Sequence, residues 1–198
     1  RKYLADATKV SQRAAEISQQ MLAYLGQERG RRVPSDLCET CREVLPLLRA
    51  ALPRNARLRT EFPGEGAIIR ADALQMKRVL TYLAANAGEA IGDGGGSVAV
   101  AIDVIPAADI HAPRFFPAGW EPKAETYACL SVADTGCGMT PEMLDKAFDP
   151  FFSTKFTGRG LGLPVVMGIV QSHEGACAVE SSPGQGTTIR VFLPVVAE

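Results

Sequence analysis

Glycine spacing between Tyr127 and Leu163 constrains this chain more than any other feature. The run YACLSVADTGCGM and the later GRGLGL bracket an aromatic segment, KAFDPFFSTKFT. The apolar stretch Cys129 to Ala133 reads as a strand that delivers Asp134 onto a Gly-punctuated turn, and the second glycine cluster opens directly onto an apolar helical pattern. Glycine lets backbone approach a ligand closely, and a helix start presents unpaired N–H groups and a positive dipole end to an anion. A phosphate suits such a place. One glycine-rich turn is weak evidence by itself, because most are ordinary turns; here several linked pieces point the same way.

The surroundings bound the answer. At 198 residues, 46% of them apolar, the chain can bury a core and is long enough for one domain with an appendage. A net charge of −1 without any dense Lys/Arg run gives no electrostatic footprint for nucleic acid. No apolar run approaches the roughly 18–20 residues a membrane helix needs, so the sequence predicts no membrane contact by this stretch, whether or not a parent protein is membrane-anchored, and its cysteine usage predicts a cytoplasmic location. Five cysteines at irregular spacing fit a reduced chain better than a disulfide framework. Cys38 and Cys41 form a lone Cys-x-x-Cys, read as two small apolar residues on a helix in preference to a zinc or redox site.

Residues 1–29 carry a heptad pattern, with Tyr3, Val10, Ile17 and Tyr24 at one position and Ala7, Ala14 and Met21 at the other. That is the seam of a helix packed on a partner helix, either in another subunit or on its own domain. RGRRVP then breaks the chain, and residues 30–198 form the second unit. Ser35 or Asp36 can cap a helix bearing Leu37, Val44, Leu45, Leu48 and Leu52. ARLRTEF and AIIRAD read as short strands, expected to pair antiparallel through the PGEG turn. Asp72 starts the next helix, whose apolar arc holds Met76, Val79, Leu80, Leu83, Ala87 and Ile91, with Tyr82, Asn86 and Glu89 on a stripe beside it at about 100° per residue. SVAVAIDVI and TYACLSVAD read as adjacent strands joined by a connection over residues 106–125. A helix over 161–173 and strands over 176–181 and 187–194 complete an α+β, two-layer sandwich with a mixed, mostly antiparallel sheet and helices on one face.

DTGCGM, KAFDPFFSTK, GRGLGL and, upstream, LAANAGEA resemble, in order, the G1, F, G2 and N boxes of the ATP-binding catalytic domain of sensor histidine kinases, in the GHKL superfamily with its Bergerat-type fold. GQGTTIRVFLP is similar to that domain's closing strand, and RAAEISQQMLAYLGQ resembles the second helix of the dimerisation and phosphoacceptor hairpin. The resemblance implies ATP and Mg²⁺ as ligands, a phosphoacceptor helix and a response regulator receiver domain as partners, and a homodimeric parent protein. A phosphorylatable His on the first hairpin helix is absent from this sequence. Residue by residue, the N box implies Asn86 as the Mg²⁺ ligand with Ala90 nearby. A carboxamide oxygen is a hard, neutral donor suited to that ion; the plain alternative is a helix-edge Asn bonded to backbone.

The G1 box implies Asp134 as the acceptor of adenine's exocyclic amine, with Gly136, Gly138 and Met139 around the base; an Asx turn is the alternative for Asp134. Phe148 of the F box and Gly160, Leu161, Gly162 and Leu163 of the G2 box complete the nucleotide site, and Thr187 can bond a phosphate or the base edge. The segment 140–160 would be a lid. On it Lys155 and Arg159 are cations able to offset γ-phosphate charge, or else solvated surface charges. Tyr82 departs from the pattern: hydrolytic members place a Glu general base there and many histidine kinases an Asn. The sequence thus predicts a phosphate donor with slow attack by water. The rival reading is a catalytically silent interaction or nucleotide-sensing module on the same fold.

Overall fold

The computed structural model describes residues 30–63, 66–153 and 160–196, together with isolated helical positions between Thr8 and Leu22. Most of the heptad seam lies outside the described residues. Of its positions, Val10 and Met21 are described, both helical and exposed.

Strand β1 (Val33–Asp36) runs straight into helix α1 (Leu37–Ala51). Asp36 is the cap, accepting from the N–H groups of Cys38 at 2.7 Å and Glu39 at 3.2 Å. The face bearing Leu37, Cys41, Val44 and Leu48 is buried, and the helix ends just ahead of Pro53. Cys38 and Cys41 are both buried in this face, and burial pushes the Cys41 thiol up to about 12. They pack as small apolar side chains. Strand β2 (Ala56–Glu61) and strand β3 (Ile68–Ala71) follow, then helix α2 (Ala73–Ile91), capped by Asp72 through the Gln75 N–H at 3.0 Å. Met76, Val79, Leu80, Leu83, Ala87 and Ile91 are buried along one stripe, as their spacing predicts.

Strands β4 (Gly96–Pro106), β5 (Phe115–Phe116), β6 (Thr126–Asp134), β7 (Ala176–Ser181) and β8 (Thr187–Pro194) build the main sheet with β2, in the order β2-β4-β6-β8-β7-β5. Every neighbouring pair is antiparallel except β2 with β4. A short helix, α3 (Pro141–Asp145), and a longer one, α4 (Gly162–Ser172), lie between β6 and β7. The α+β sandwich read from the sequence is the architecture observed.

One pairing differs from expectation. ARLRTEF and AIIRAD do not pair with each other: β3 pairs with β1, and β2 lies parallel to β4 with Ala56 opposite Gly96. The reason is topological. Parallel neighbours need a long crossover, and α2 supplies it between β2 and β4. β3 is then free to take VPSD as its partner and to touch the last strand's extension through an Ile69–Val195 bridge.

The main core lies between the sheet and α1, α2 and α4, where Val98, Val100, Leu130, Val132, Val191 and Leu193 face the helices. Alternate residues point the other way. There Tyr127, Cys129, Ala178 and Phe192 form a second apolar cluster, covered by Ile110, Phe115 and Trp120 of the connection 107–125.

Candidate functional site

A cavity of about 430 Å³ opens between α2, the end of β6, the start of β8 and the start of α4. Four elements deliver its walls. The polar stripe of α2 contributes Tyr82, Asn86, Glu89 and Ala90, and the strand end and following turn contribute Asp134, Cys137, Gly138 and Met139. Gly160 through Pro164 enter from the α4 side, with Thr187 and Ile189 on the floor.

Asp134 closes β6 opposite Thr187 of β8 and Val98 of β4. Its Oδ1 accepts the Gly136 N–H at 2.8 Å, so the Asx turn and a cavity-facing carboxylate coexist. The turn is held by close backbone approaches. The Cys137 N–H donates to the Ala90 carbonyl at 3.0 Å, and an ideal Cβ at Gly136 would sit 2.5 Å from the Ala90 carbonyl carbon. Gly138 has φ +67°, and a side chain there would run into the Ser182 carbonyl oxygen.

Thr187 is buried and shares a 2.9 Å hydroxyl contact with Ser181. Ser181 Oγ–H donates to the Gly186 carbonyl at 3.0 Å and its oxygen accepts the Met139 N–H at 2.8 Å. With the Ser181 proton committed to Gly186, Thr187 is the donor in the shared contact and keeps its lone pairs for another partner. Nothing in the sequence singles out Ser181, although its opposition to Thr187 follows from the β7–β8 register.

At the far end, α4 begins at Gly162 with no side-chain cap on its first turn, and its first residues face the cavity. Uncapped N–H groups and the dipole make that end favourable to an anion. The start of α4 lies against α2: an ideal Cβ at Gly162 would make ordinary contacts of 3.6 Å with both Asn86 Nδ2 and Tyr82 Cδ1. Asn86 therefore stands at the helix start, across the cavity from Asp134.

The structure thus brings together Asn86, Ala90, Asp134, Gly138, Met139, Gly160, Leu161, Gly162, Leu163 and Thr187. Two of the expected residues stand behind the wall. Gly136 packs on Ala90, and Phe148 is buried away from the cavity with its ring 4.4 Å from that of Phe116. Instead Met143, Ala147 and Phe152 of the same segment line the cavity. Lys155 and Arg159 lie outside the described residues. Among the described residues no group of three or more His, Cys, Asp and Glu could hold a metal ion by itself. No described helix is long and apolar enough to cross a membrane.

A six-stranded sheet with helices on one face, and a cavity running from a strand-end carboxylate to an uncapped helix start beside an amide-bearing helix, is the architecture of the GHKL class. Residues 71–197 match the family of histidine kinase-, DNA gyrase B- and HSP90-like ATPases, and the chain belongs to it. Its relatives are sensor kinases. It is 33% identical over 188 residues to the sensor kinase CckA of Brucella abortus (strain 2308), covering 94% of this chain and 19% of the relative. With the sensor histidine kinase ZraS of Klebsiella oxytoca it shares 39% identity over 127 residues, covering 64% of this chain and 23% of the relative. The chain thus spans about a fifth of the length of these relatives.

Among solved structures, the catalytic domain of histidine kinase ThkA in a nucleotide-free form superposes with a TM-score of 0.63 at 27% identity, covering 83% of this chain and 95% of that one. Full-length ShkA in complex with AMPPNP shares the fold with a TM-score of 0.75 at 22% identity, covering 100% of this chain and 39% of that one.

Proposed function

We propose that this chain is the ATP-binding catalytic region of a sensor histidine kinase, residues 30–198, preceded by a dimerisation helix over residues 1–29. One observation carries the reading: Asn86 and Asp134 face a single cavity whose far end is the uncapped start of α4. Asp134 would accept adenine's exocyclic amine, which guanine replaces with a carbonyl that a carboxylate repels. The phosphates would run toward α4, where the N–H groups of the first turn and the dipole favour them. Mg²⁺ fits this donor set. It takes few protein ligands when phosphates and water supply the rest, and the Asn86 carboxamide is the hard oxygen donor at that end. When bound, the ion would neutralise charge on the β- and γ-phosphates.

The reaction is phosphoryl transfer. A histidine nitrogen on a separate helix forms the N–P bond as the bond to the β-phosphate oxygen breaks, and ADP leaves; this chain contributes positioning and charge compensation, with Lys155 and Arg159 as its cations. The phosphoryl group then passes to an Asp of a response regulator. The parent protein would be a homodimer with this region in the cytoplasm.

Neither histidine of the chain suits the acceptor role. His173 is buried, its Nδ1 bonded to the Ile169 carbonyl at 2.8 Å and its Nε2 accepting the Asp72 N–H at 3.3 Å. His111 sits on the 107–125 connection, away from the cavity. The chain alone is therefore expected to bind nucleotide without becoming labelled by it. Calorimetry with a non-hydrolysable ATP analogue, with and without Mg²⁺, tests the reading. Binding should be lost in Asp134→Ala, and its Mg²⁺ dependence should vanish in Asn86→Ala. A chain that binds no adenine nucleotide would favour the silent interaction module instead.

A further inference from the structure

We propose that the connection 107–125 is a brace for one wall of the cavity, with Phe116 and Arg114 as positioning residues for the segment that carries Met143, Ala147 and Phe152. The inference rests on the nucleotide reading above for its effect on binding, though not for the contacts themselves.

Helix α3 has five residues, too few to hold its own shape in water, so its place is set by what packs against it. Thr140 caps it through the Met143 N–H at 3.3 Å. Met143 of the helix, with Ala147 and Phe152 beyond its end, lines the cavity. The outer side of the segment is gripped by the connection. Arg114 forms an ion pair with Asp145, and the Phe116 ring meets the buried Phe148 ring with centroids 4.4 Å apart.

The brace is itself fixed to the sheet. Phe115 and Phe116 pair with Ala178 and Cys177 of β7, extending the edge of the sheet. As successive strand residues they point to opposite faces. Phe115 enters the second-face cluster, 5.5 Å from Trp120 and 6.1 Å from Phe192, while Phe116 packs against the main core. The Tyr127 hydroxyl accepts the N–H groups of Lys123 at 2.8 Å and Ala124 at 3.1 Å, which ties down the returning end. One stiff loop thus reaches round the β7 edge and holds, from behind, the residues that face the nucleotide.

Removing the grip leaves the wall to be ordered by the ligand, and that ordering cost lowers affinity. The dissociation constant for the ATP analogue should rise about three- to tenfold in Phe116→Ala, the scale of a lost aromatic contact, and about two- to fivefold in Arg114→Ala, the scale of an exposed ion pair. Amide exchange over 141–152 in the nucleotide-free chain should quicken. Arg114→Lys, and the exchanged pair Arg114→Asp with Asp145→Arg, should restore both. A purely stabilising role would lower the melting temperature and leave affinity and local exchange unchanged, which overturns the proposal. If Phe116→Ala fails to fold, Arg114→Ala, at an exposed ion pair, carries the test. If the unaltered chain binds no nucleotide, the ATP reading fails, and the brace stands or falls on the exchange rates over 141–152 alone.

Discussion

Two single residues, one in the site's backbone and one in the core beside α2, make strict and different demands. Gly138 combines a left-handed φ of +67° with a carbonyl lying where its side chain would go, so Gly138→Ala is penalised twice. A loss of about 2 kcal/mol or more in unfolding free energy is expected, read from urea denaturation, together with weakened nucleotide binding. His173 makes the opposite kind of demand, on protonation. Burial holds its pKa below the ordinary value and nearby Arg32 adds to this, while the Ile169 carbonyl bond and Asp72 oppose the shift. Because the folded chain keeps the ring neutral, the unfolded chain binds the proton first as pH falls through about 6.5. The stability contribution is complete above that pH and is lost on acidification toward the lower folded value. The urea midpoint should therefore fall between about pH 7.5 and 5.5, and fall less in His173→Gln; an equal drop in both would show that the ring does not titrate with folding.

At the scale of elements, α2 connects sequence to site most directly, because burying its apolar stripe turns Asn86 on the adjoining edge to the cavity, and Asp72 caps its first turn. Asp72→Ala removes the acceptor for the Gln75 N–H and also for the Arg31 N–H at 3.0 Å. The cost should be about 1 kcal/mol, measured by thermal unfolding, with the fold retained. This helix was legible in full: its cap, its apolar stripe and its polar edge all follow from the 3.6-residue period. So were β6 and β8, whose largely apolar runs suit strands covered on both faces. β1 was not legible. VPSD carries a proline and only one strongly strand-forming residue, and its pairing with β3 depends on a partner more than thirty residues away. The same non-local logic hid the β2–β4 pairing, since a strand followed by a turn and another strand reads as a hairpin until the crossover helix is counted. Within the site, the cavity-lining glycines Gly138, Gly160 and Gly162 and the polar pair Asn86 and Asp134 could be read from the chain. That Met143, Ala147 and Phe152 line the wall in place of Phe148 could not, because Phe148 packs on Phe116 of a connection whose own sequence shows no period.

For the molecule as a whole, the cavity joins parts that are far apart in the chain: α2, the β6 end, α4 and the β8 start. A ligand spanning Asn86 to Asp134 bridges all four, so binding should stabilise the folded state as a unit. At a free concentration of a hundred times the dissociation constant, linkage predicts about 2.7 kcal/mol. In a chain of this size each kcal/mol moves the melting temperature by about 2–4 °C, so a shift of roughly 5–11 °C is expected with the Mg²⁺-bound ATP analogue. Asp134→Ala should abolish the shift at the same ligand concentration, while GTP should give little, because a carboxylate at the base end repels guanine's carbonyl. Equal shifts with ATP and GTP would mean that the phosphates alone are being held, at the α4 start, and that Asp134 serves only its turn. Steady hydrolysis should stay slow in every case, since Tyr82 supplies no carboxylate where water would be activated, and a Tyr82→Glu variant that turns over ATP faster would confirm that position as the brake.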